Sequence, residues 1–346
     1  MKSQMSIGIF LLWLFAGGCV LSDTAPETPY LTDTDKPSDG WLAAGWRIAA
    51  SPSNYEWDNG DTDEVVDFTI FQAADETWQL IACVRKCTFP VAYETGENYR
   101  GRILFRWESD DLFASDWKEM GVFKTTDELP PGVSVKNNKG LIQAPHVVKD
   151  NGLYYMIYNS YGAHMLVSTN GKEWAHQADD SGNYTFFDMN KGRDIMLVDN
   201  RDVDGKWYAV HTPKTPGYDK RGYELVYRTA NNLLGPWGAA TKMAKRDFWQ
   251  DVESPFIVRR NGWYYLFLQD WVYAKQNITD YFDAPVTDLN SFNRMPRRGI
   301  APEIISYEGR DYFVTYNTIK TDPQEGIEIR PLCWKSSGPA AETFAK

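Results

Sequence analysis

Five segments of this chain each carry, at or near their start, a side chain suited to moving protons, placed just ahead of a strand-like run. They are Asp67 in VDFTIFQAADETWQLIACV (66–84), His146 in APHVVKDNGLYYMIYNS (144–160), Asp194 in RDIMLVDNRDVDGKWYAVHT (193–212), Glu253 in ESPFIVRRNGWYYLFLQD (253–270) and Glu303 in APEIISYEGRDYFVTYN (301–317). Four carboxylates and an imidazole suit acid–base chemistry in which one carboxyl gives a proton while another takes one. Cleavage of a glycosidic bond needs such a pair. One carboxyl protonates the departing oxygen, and the other activates water, or attacks directly, from the opposite side. The acid needs a raised pKa, which burial or a nearby negative charge supplies.

Residues so far apart in sequence meet only if the fold brings them together. Each segment reads as a strand, a tight turn and a second strand, and in four of them Gly stands just before the aromatic-rich second strand. A unit this small cannot bury its own apolar face, so the copies must pack against one another. Five copies predict an all-β fold, a five-bladed β-propeller, whose blade-opening residues crowd around one central hole. The runs LVSTNGKEW (166–174), LVYRTANNLLGPW (225–237) and, more loosely, ILFRWESDDLFASDW (103–117) read as third strands and outer edges of blades. The copies recur at intervals of roughly 50–80 residues, against about 40–50 for a four-stranded blade, so the excess falls in loops.

Composition narrows the function classes. A net charge of −11 disfavours nucleic-acid binding. Aromatic residues make up 15% of the chain, including 14 Trp and 20 Tyr. Most suit packing between blades. Trp249, Trp271, Tyr161, Trp46 and Tyr55 are expected on loops near the motifs and could stack on a sugar ring, while structural packing is the alternative for each. Asp67, with Asp61, Asp63 and Glu64 close by, also fits a solvated acidic loop, and Asp194 beside Arg193 also fits a salt bridge. A charged Glu253 directly before Ser-Pro-Phe-Ile-Val is an odd start for a buried strand unless it has work to do.

Lys2, the apolar run 7–16 and Gly17-Gly18-Cys19 read as an export signal, too short for a spanning helix. Cys19 after Ala-Gly-Gly resembles a bacterial lipobox, which predicts a lipidated Cys19 and an exported protein anchored to the cell envelope, ordinary secretion being the alternative. The expected organisation is a signal peptide at 1–19, a flexible tether at 20–40 rich in Pro, Thr and Asp, one propeller domain at 41–335, and a tail at 336–346. Cys83, Cys87 and Cys333 remain, an odd number that permits one disulfide and one thiol. A strand would hold Cys83 and Cys87 about 13 Å apart, too far to bridge.

The ordered set of motifs resembles glycoside hydrolase family 43 and, more distantly, family 32. Asp67 precedes the strand 68–71. Asp194 precedes Ile195-Met196-Leu197 and Asp204-Gly205-Lys206-Trp207-Tyr208. Glu253-Ser254-Pro255 precedes Gly262-Trp263-Tyr264-Tyr265-Leu266. Arg193-Asp194 is similar to the R-D-P element of family 32. The resemblance implies a propeller glycosidase in which Asp67 is the general base, Glu253 the general acid and Asp194 the residue that orients the acid and keeps its pKa up. It further implies an inverting enzyme on arabinofuranosides, xylosides or a related plant or algal glycan. A non-catalytic glycan-binding lipoprotein and a retaining, fructan-directed hydrolase are the alternatives. His146, Arg193, Glu303 and Trp249 are the expected substrate-binding residues. His146 could equally be structural, and Glu303 could pair with Arg297 or Arg298. No cofactor is expected, and a metal is left open. The sequence departs from the family 43 pattern at Phe68 and Ile195, where Pro is usual, and at Ser254, where Gly is usual. These departures bear on specificity more than on the presence of the carboxylates. The W-M-N-D-P-N-G element of family 32 is missing.

Overall fold

The computed structural model describes residues 25–31, 64–87, 101–114, 116–124, 128–132, 142–160, 162–189, 192–213, 224–245, 253–268, 271–281, 286–288, 300–317 and 326–335. Within these, the strands group into five antiparallel sheets, one for each repeat seen in the sequence. The chain is an all-β, five-bladed β-propeller.

The first described strand is β1 (Thr28–Leu31). Blade one is β2 (Glu64–Gln72), β3 (Trp78–Cys87), β4 (Gly101–Ser109) and β5 (Lys118–Lys124). Blade two is β6 (Gln143–Asp150), β7 (Leu153–Ser160) and β8 (Gly162–Ser168), with the short β9 (Ala175–Gln177) and β10 (Phe187–Asp188) both pairing with β8. Blade three runs from β11 (Arg193–Asn200) through a single helical turn, α1 (Arg201–Asp204), to β12 (Lys206–Thr212), β13 (Glu224–Ala230) and β14 (Thr241–Lys245). Blade four is β15 (Phe256–Arg260), β16 (Trp263–Leu268), β17 (Trp271–Lys275) and β18 (Val286–Asp288). Blade five is β19 (Ile300–Tyr307), β20 (Arg310–Asn317) and β21 (Gly326–Lys335).

The second strand of each blade is covered on both faces, which explains why these strands read as continuous apolar runs and not as alternating ones. Seven consecutive residues of β7 and five of β16 are buried. The apolar clusters lie between neighbouring blades. One joins blade one to blades two and five, and the others join two to three, three to four and four to five. Three of the leading hairpins close through two residues that both have positive φ: Asn151-Gly152, Asn261-Gly262 and Glu308-Gly309. This is the turn whose twist matches that of paired strands, and Gly adopts it at little steric cost.

The expected tether needs correction at residues 28–31. They form β1, which pairs antiparallel with β21 from Thr28↔Lys335 to Leu31↔Leu332 and completes blade five. Without it the outer edge of β21 would present unpaired backbone groups. Leu31 is buried in the cluster between blades four and five. Glu27 reinforces the junction: its N–H donates to the Tyr265 hydroxyl at 2.7 Å, and its carboxylate accepts from Arg260 Nε at 2.5 Å. Both ends of the described chain thus meet in one blade. Cys83 and Cys87 share strand β3, where strand spacing keeps them apart. The expected signal peptide with Cys19, the tail at 336–346, and the aromatics Trp46, Tyr55, Tyr161 and Trp249 lie outside the described residues. Among the described residues no helix is long and apolar enough to cross a membrane.

Candidate active site

Every blade enters the propeller axis through a residue in the left-handed region: Asp67 (φ 40°), Ala144 (52°), Asp194 (61°), Ser254 (51°) and Ala301 (50°). None is glycine. In blades one, two, three and five this residue lies in a one-residue bulge, where the pairing of the inner strand with the second strand shifts register. A bulge turns the strand sharply and re-aims its side chains. Non-glycine residues held in this region cost on the order of 1–3 kcal/mol each, and such strain collects at functional sites. All five left-handed residues line one cavity on the axis, together with the two that follow each in blades two to five and with Phe68 in blade one.

The repeated bulge corrects the equivalence expected between the five motif residues. Asp67 and Asp194 do occupy the same position. Glu253 stands one residue before it, where the other blades have Val66, Gln143, Arg193 and Ile300. His146 and Glu303 stand two residues after it, level with Thr69, Met196 and Phe256. The site therefore has two layers.

The upper layer holds Asp67, Arg193, Asp194, Glu253 and Ser254. Asp194 is buried; its Oδ2 accepts the Ser254 N–H at 3.3 Å and lies 3.2 Å from Arg193 Nε. Its own N–H donates to Asn159 Oδ1 at 3.3 Å, which ties blade three to blade two. Among the described residues its buried Oδ1 has no hydrogen-bond partner. Burial, and then the charges of Asp67 and Glu253, push the Asp194 carboxyl well above the usual carboxylate range, against the pull of Arg193 and the Ser254 N–H. Arg193 donates to Glu253 Oε2 through Nη2 and through Nε, the latter at 3.2 Å. Burial disfavours the Arg193 charge, but Asp194 and Glu253 outweigh it and raise the guanidinium pKa further. The Ser254 hydroxyl donates to Asp67 Oδ1 at 3.4 Å. Three carboxyl groups from three blades thus surround one guanidinium, and the excess of negative charge adds to burial in raising the Asp194 carboxyl.

The lower layer braces the ring. Glu303 Oε2 accepts the Ile70 N–H at 3.0 Å, and Oε1 lies 3.7 Å from His146 Nδ1. His146 Nε2 is 3.3 Å from the Leu197 carbonyl oxygen, and the His146 ring meets Phe256 edge-on at 5.9 Å. Blades one, two, three, four and five all contribute to these contacts. Burial raises the Glu303 carboxyl above its usual range, with His146 acting in the opposite direction. Both side chains line the cavity. His146 is a partner of Glu303 here, and Arg297 and Arg298, considered from sequence, lie outside the described residues. Among the described residues no group of three or more His, Cys, Asp or Glu side chains is arranged to hold a metal ion.

Of the sequence candidates, Asp67, His146, Arg193, Asp194, Glu253 and Glu303 come together at the axis. Ser254, Asn159 and Thr69 also belong to the site and were not anticipated. Ser254 was visible as the departure inside Glu-Ser-Pro. Asn159 is the next-to-last residue of the second strand β7 and carries no signal of its own. Trp271 opens β17, a half-buried strand, where a loop was expected.

No family model matches the chain, and no curated protein matches it in sequence. Solved structures share its fold. A thermostable family-43 glycoside hydrolase superposes with a TM-score of 0.51 at 16% identity, over 83% of this chain and 96% of that one. An exo-1,5-α-L-arabinanase from a bovine ruminal metagenomic library gives a TM-score of 0.52 at 12% identity, over 81% and 95%. An α-L-arabinofuranosidase from Podospora anserina, solved with cellotriose, gives 0.52 at 13% identity, over 90% and 97%. At these identities the likeness is one of fold.

Proposed function

We propose that this chain is a glycoside hydrolase whose chemistry rests on Asp67, Asp194 and Glu253. The observation that carries the reading is their convergence, from three blades, around one axial cavity, with Arg193 and Ser254 linking them. A barely charged or apolar cavity would suit a scaffold. Three carboxyl groups crowded at the mouth of a propeller are costly to hold together, and the cost makes sense when proton transfer is the task.

In this reading Glu253 gives its proton to the departing glycosidic oxygen as the C–O bond breaks. Asp67 takes a proton from the water that adds to the anomeric carbon from the other side. Asp194, bonded to Arg193 and to the Ser254 N–H, orients the acid's surroundings. Inversion needs a gap of about 6.5–9.5 Å between acid and base, wide enough for that water; a gap near 5–5.5 Å would serve retention. His146 and Glu303 form the floor under the sugar, and Arg193 and Trp249 are further substrate contacts. The substrate class is a plant or algal glycan carrying arabinofuranosyl or xylosyl units, in keeping with the arabinan- and arabinofuranoside-directed names of the structural neighbours. Export and envelope anchoring through Cys19 complete the proposal, and Cys19→Ser would then move the protein from the membrane to the soluble fraction.

A hydrolysis screen with aryl arabinofuranosides, xylosides, galactosides and fructose-containing substrates tests the activity, and the anomer of the first product identifies the mechanism. Binding of glycans without turnover of any of them would favour the glycan-binding alternative.

A further inference from the structure

A second cavity lies between blades one and two, away from the axis. Its volume is about 320 Å³, and its walls include Arg106 of β4, Lys124 of β5, Glu128, and Lys172 and Trp174 from the turn after β8. Small-molecule sites typically occupy roughly 300–1,000 Å³. β5 is the outermost strand of blade one, three strands out from the strand that carries Asp67, or about 14 Å at ordinary strand spacing.

The walls are held by bonds of their own. Asn170 Oδ1 accepts the N–H groups of Lys172 and Glu173, both at 2.9 Å, and Ser168 Oγ accepts the Gly171 N–H at 2.8 Å. The Trp174 indole donates to the Gly171 carbonyl at 3.2 Å, and its ring meets Phe71 and Phe123 edge-on. Facing them, β5 shifts register twice against β4. Gly121 pairs with Arg106 there and has open space where a Cβ would stand. A side chain at that cross-strand position would cover the guanidinium.

The cations of this cavity are unequally committed. Lys172 Nζ pairs with Asp75 at 2.5 Å and with Glu108 at 2.9 Å. Arg106 gives Nη1 to the Lys172 carbonyl at 2.8 Å, which leaves several of its donors uncommitted among the described residues. Lys124 is half-buried and makes no hydrogen bond or ion pair with a described residue. Burial lowers its pKa, and the charge of Glu128 offsets this only in part. An ammonium drawn out of water without a close partner is costly, and an entering anion offsets that cost.

We propose that this cavity binds an oxyanion, a carboxylate or a sulfate ester, carried on a saccharide. Lys124 and the fork of Arg106 hold the anion, and Trp174 gives the sugar an apolar wall. Asp75 and Glu108 are engaged by Lys172, and Glu128 is the carboxylate the ligand must lie beside. That the anion is carried on a glycan rests on the hydrolase reading above; recognition of the anion does not. The distance from Asp67 makes this a site for a different segment of an acidic polymer from the one being cleaved.

Calorimetric titration of the full chain carrying Glu253→Gln, which suppresses turnover, tests the proposal. Uronic-acid and sulfated oligosaccharides form the two arms, with a neutral xylo-oligosaccharide and inorganic sulfate for comparison. At least one acidic oligosaccharide should bind about tenfold more tightly than the neutral one at low salt and weaken as salt is raised, and the arm that binds identifies the anion. Lys124→Met and Arg106→Gln should each weaken that binding by about tenfold. Lys124→Met removes a half-buried charge, so its Tm should hold or rise, which separates lost binding from lost fold. Neither residue belongs to the axial site, so in the parent background turnover of a small aryl glycoside should be unchanged. Acidic-oligosaccharide binding that survives both substitutions overturns the proposal. So does the absence of such binding, or binding of inorganic sulfate alone, which would be an adventitious ion only. A parent chain that hydrolyses no glycoside fails the hydrolase reading, and the titration still decides this site.

Discussion

Arg193 and Glu253 join blades three and four at the mouth of the cavity, and one nitrogen does double duty. Arg193 Nε lies 3.2 Å from Glu253 Oε2 and 3.2 Å from Asp194 Oδ2. A planar guanidinium with several donors can serve both carboxylates; a lysine could offer only a point charge. The pair thereby connects the strand that carries Asp194 with the segment that carries Glu253.

Breaking that link should cost stability. Arg193→Gln leaves two carboxyl groups without their cation. For a fully buried pair the loss is about 3–5 kcal/mol, and the side chains here are 29% and 22% exposed, so about 2–3 kcal/mol is expected near neutral pH. Urea unfolding of Arg193→Gln and Arg193→Lys at pH 7 checks this. Lysine keeps the charge and should recover part of the deficit; an equal deficit in both would mean that packing, not charge, was lost.

Asp194 yields a prediction of opposite sign. Its pKa is raised, with burial the largest cause, so the folded chain holds a proton that an unfolded Asp releases near pH 3.9. A group of this kind contributes stability below the unfolded pKa, and that contribution is lost as pH rises through the folded one. Asp194→Asn stays neutral throughout and keeps an oxygen for the Ser254 N–H. Its Tm relative to the parent should therefore climb between pH 4 and pH 8, ending about 2 °C or more above it, while hydrolysis falls. A Tm difference that stays flat with pH would contradict the assignment of a retained proton.

For Glu253 the readout is the leaving group. Glu253→Gln should lower turnover of natural glycosides by about 10²–10⁴-fold, because a poor leaving group needs the proton. Aryl glycosides with good leaving groups should lose far less. Equal losses on both substrate types would make Glu253 a structural partner of Arg193 and nothing more.

Leu31 distinguishes a built-in strand from a tether. It is 2% exposed and packs with Tyr265, Phe267, Phe313 and Trp334 at the junction of blades four and five. Leu31→Ala should cost about 2–4 kcal/mol in denaturant unfolding. A residue on a loose tether would show no change.

The five-fold repeat, the all-β class and the order of the motifs were legible in the residues alone. Strand–turn–strand units with Asn-Gly or Glu-Gly turns and aromatic second strands leave a chain few ways to bury its apolar faces other than ring packing. The residue types at Asp67, Asp194 and Glu253 were legible for the same reason, since a charge at the head of a buried strand stands out. Three matters needed the tertiary structure. Glu253 falls one residue ahead of the common left-handed position, and His146 and Glu303 two residues past it. The left-handed residues are Asp, Ala and Ser here, not Gly, so no turn residue announces them, although a shift of one place sends a side chain to the other face. The pairing of β1 with β21 joins segments from opposite ends of the chain, and a four-residue strand has too little pattern to declare its partner. The bonds that give the site its electrostatics, from Arg193 to Glu253 and from Ser254 to both Asp67 and Asp194, cross blade boundaries. Periodicity reports which face of a strand is buried, but only ring closure determines which buried groups face each other.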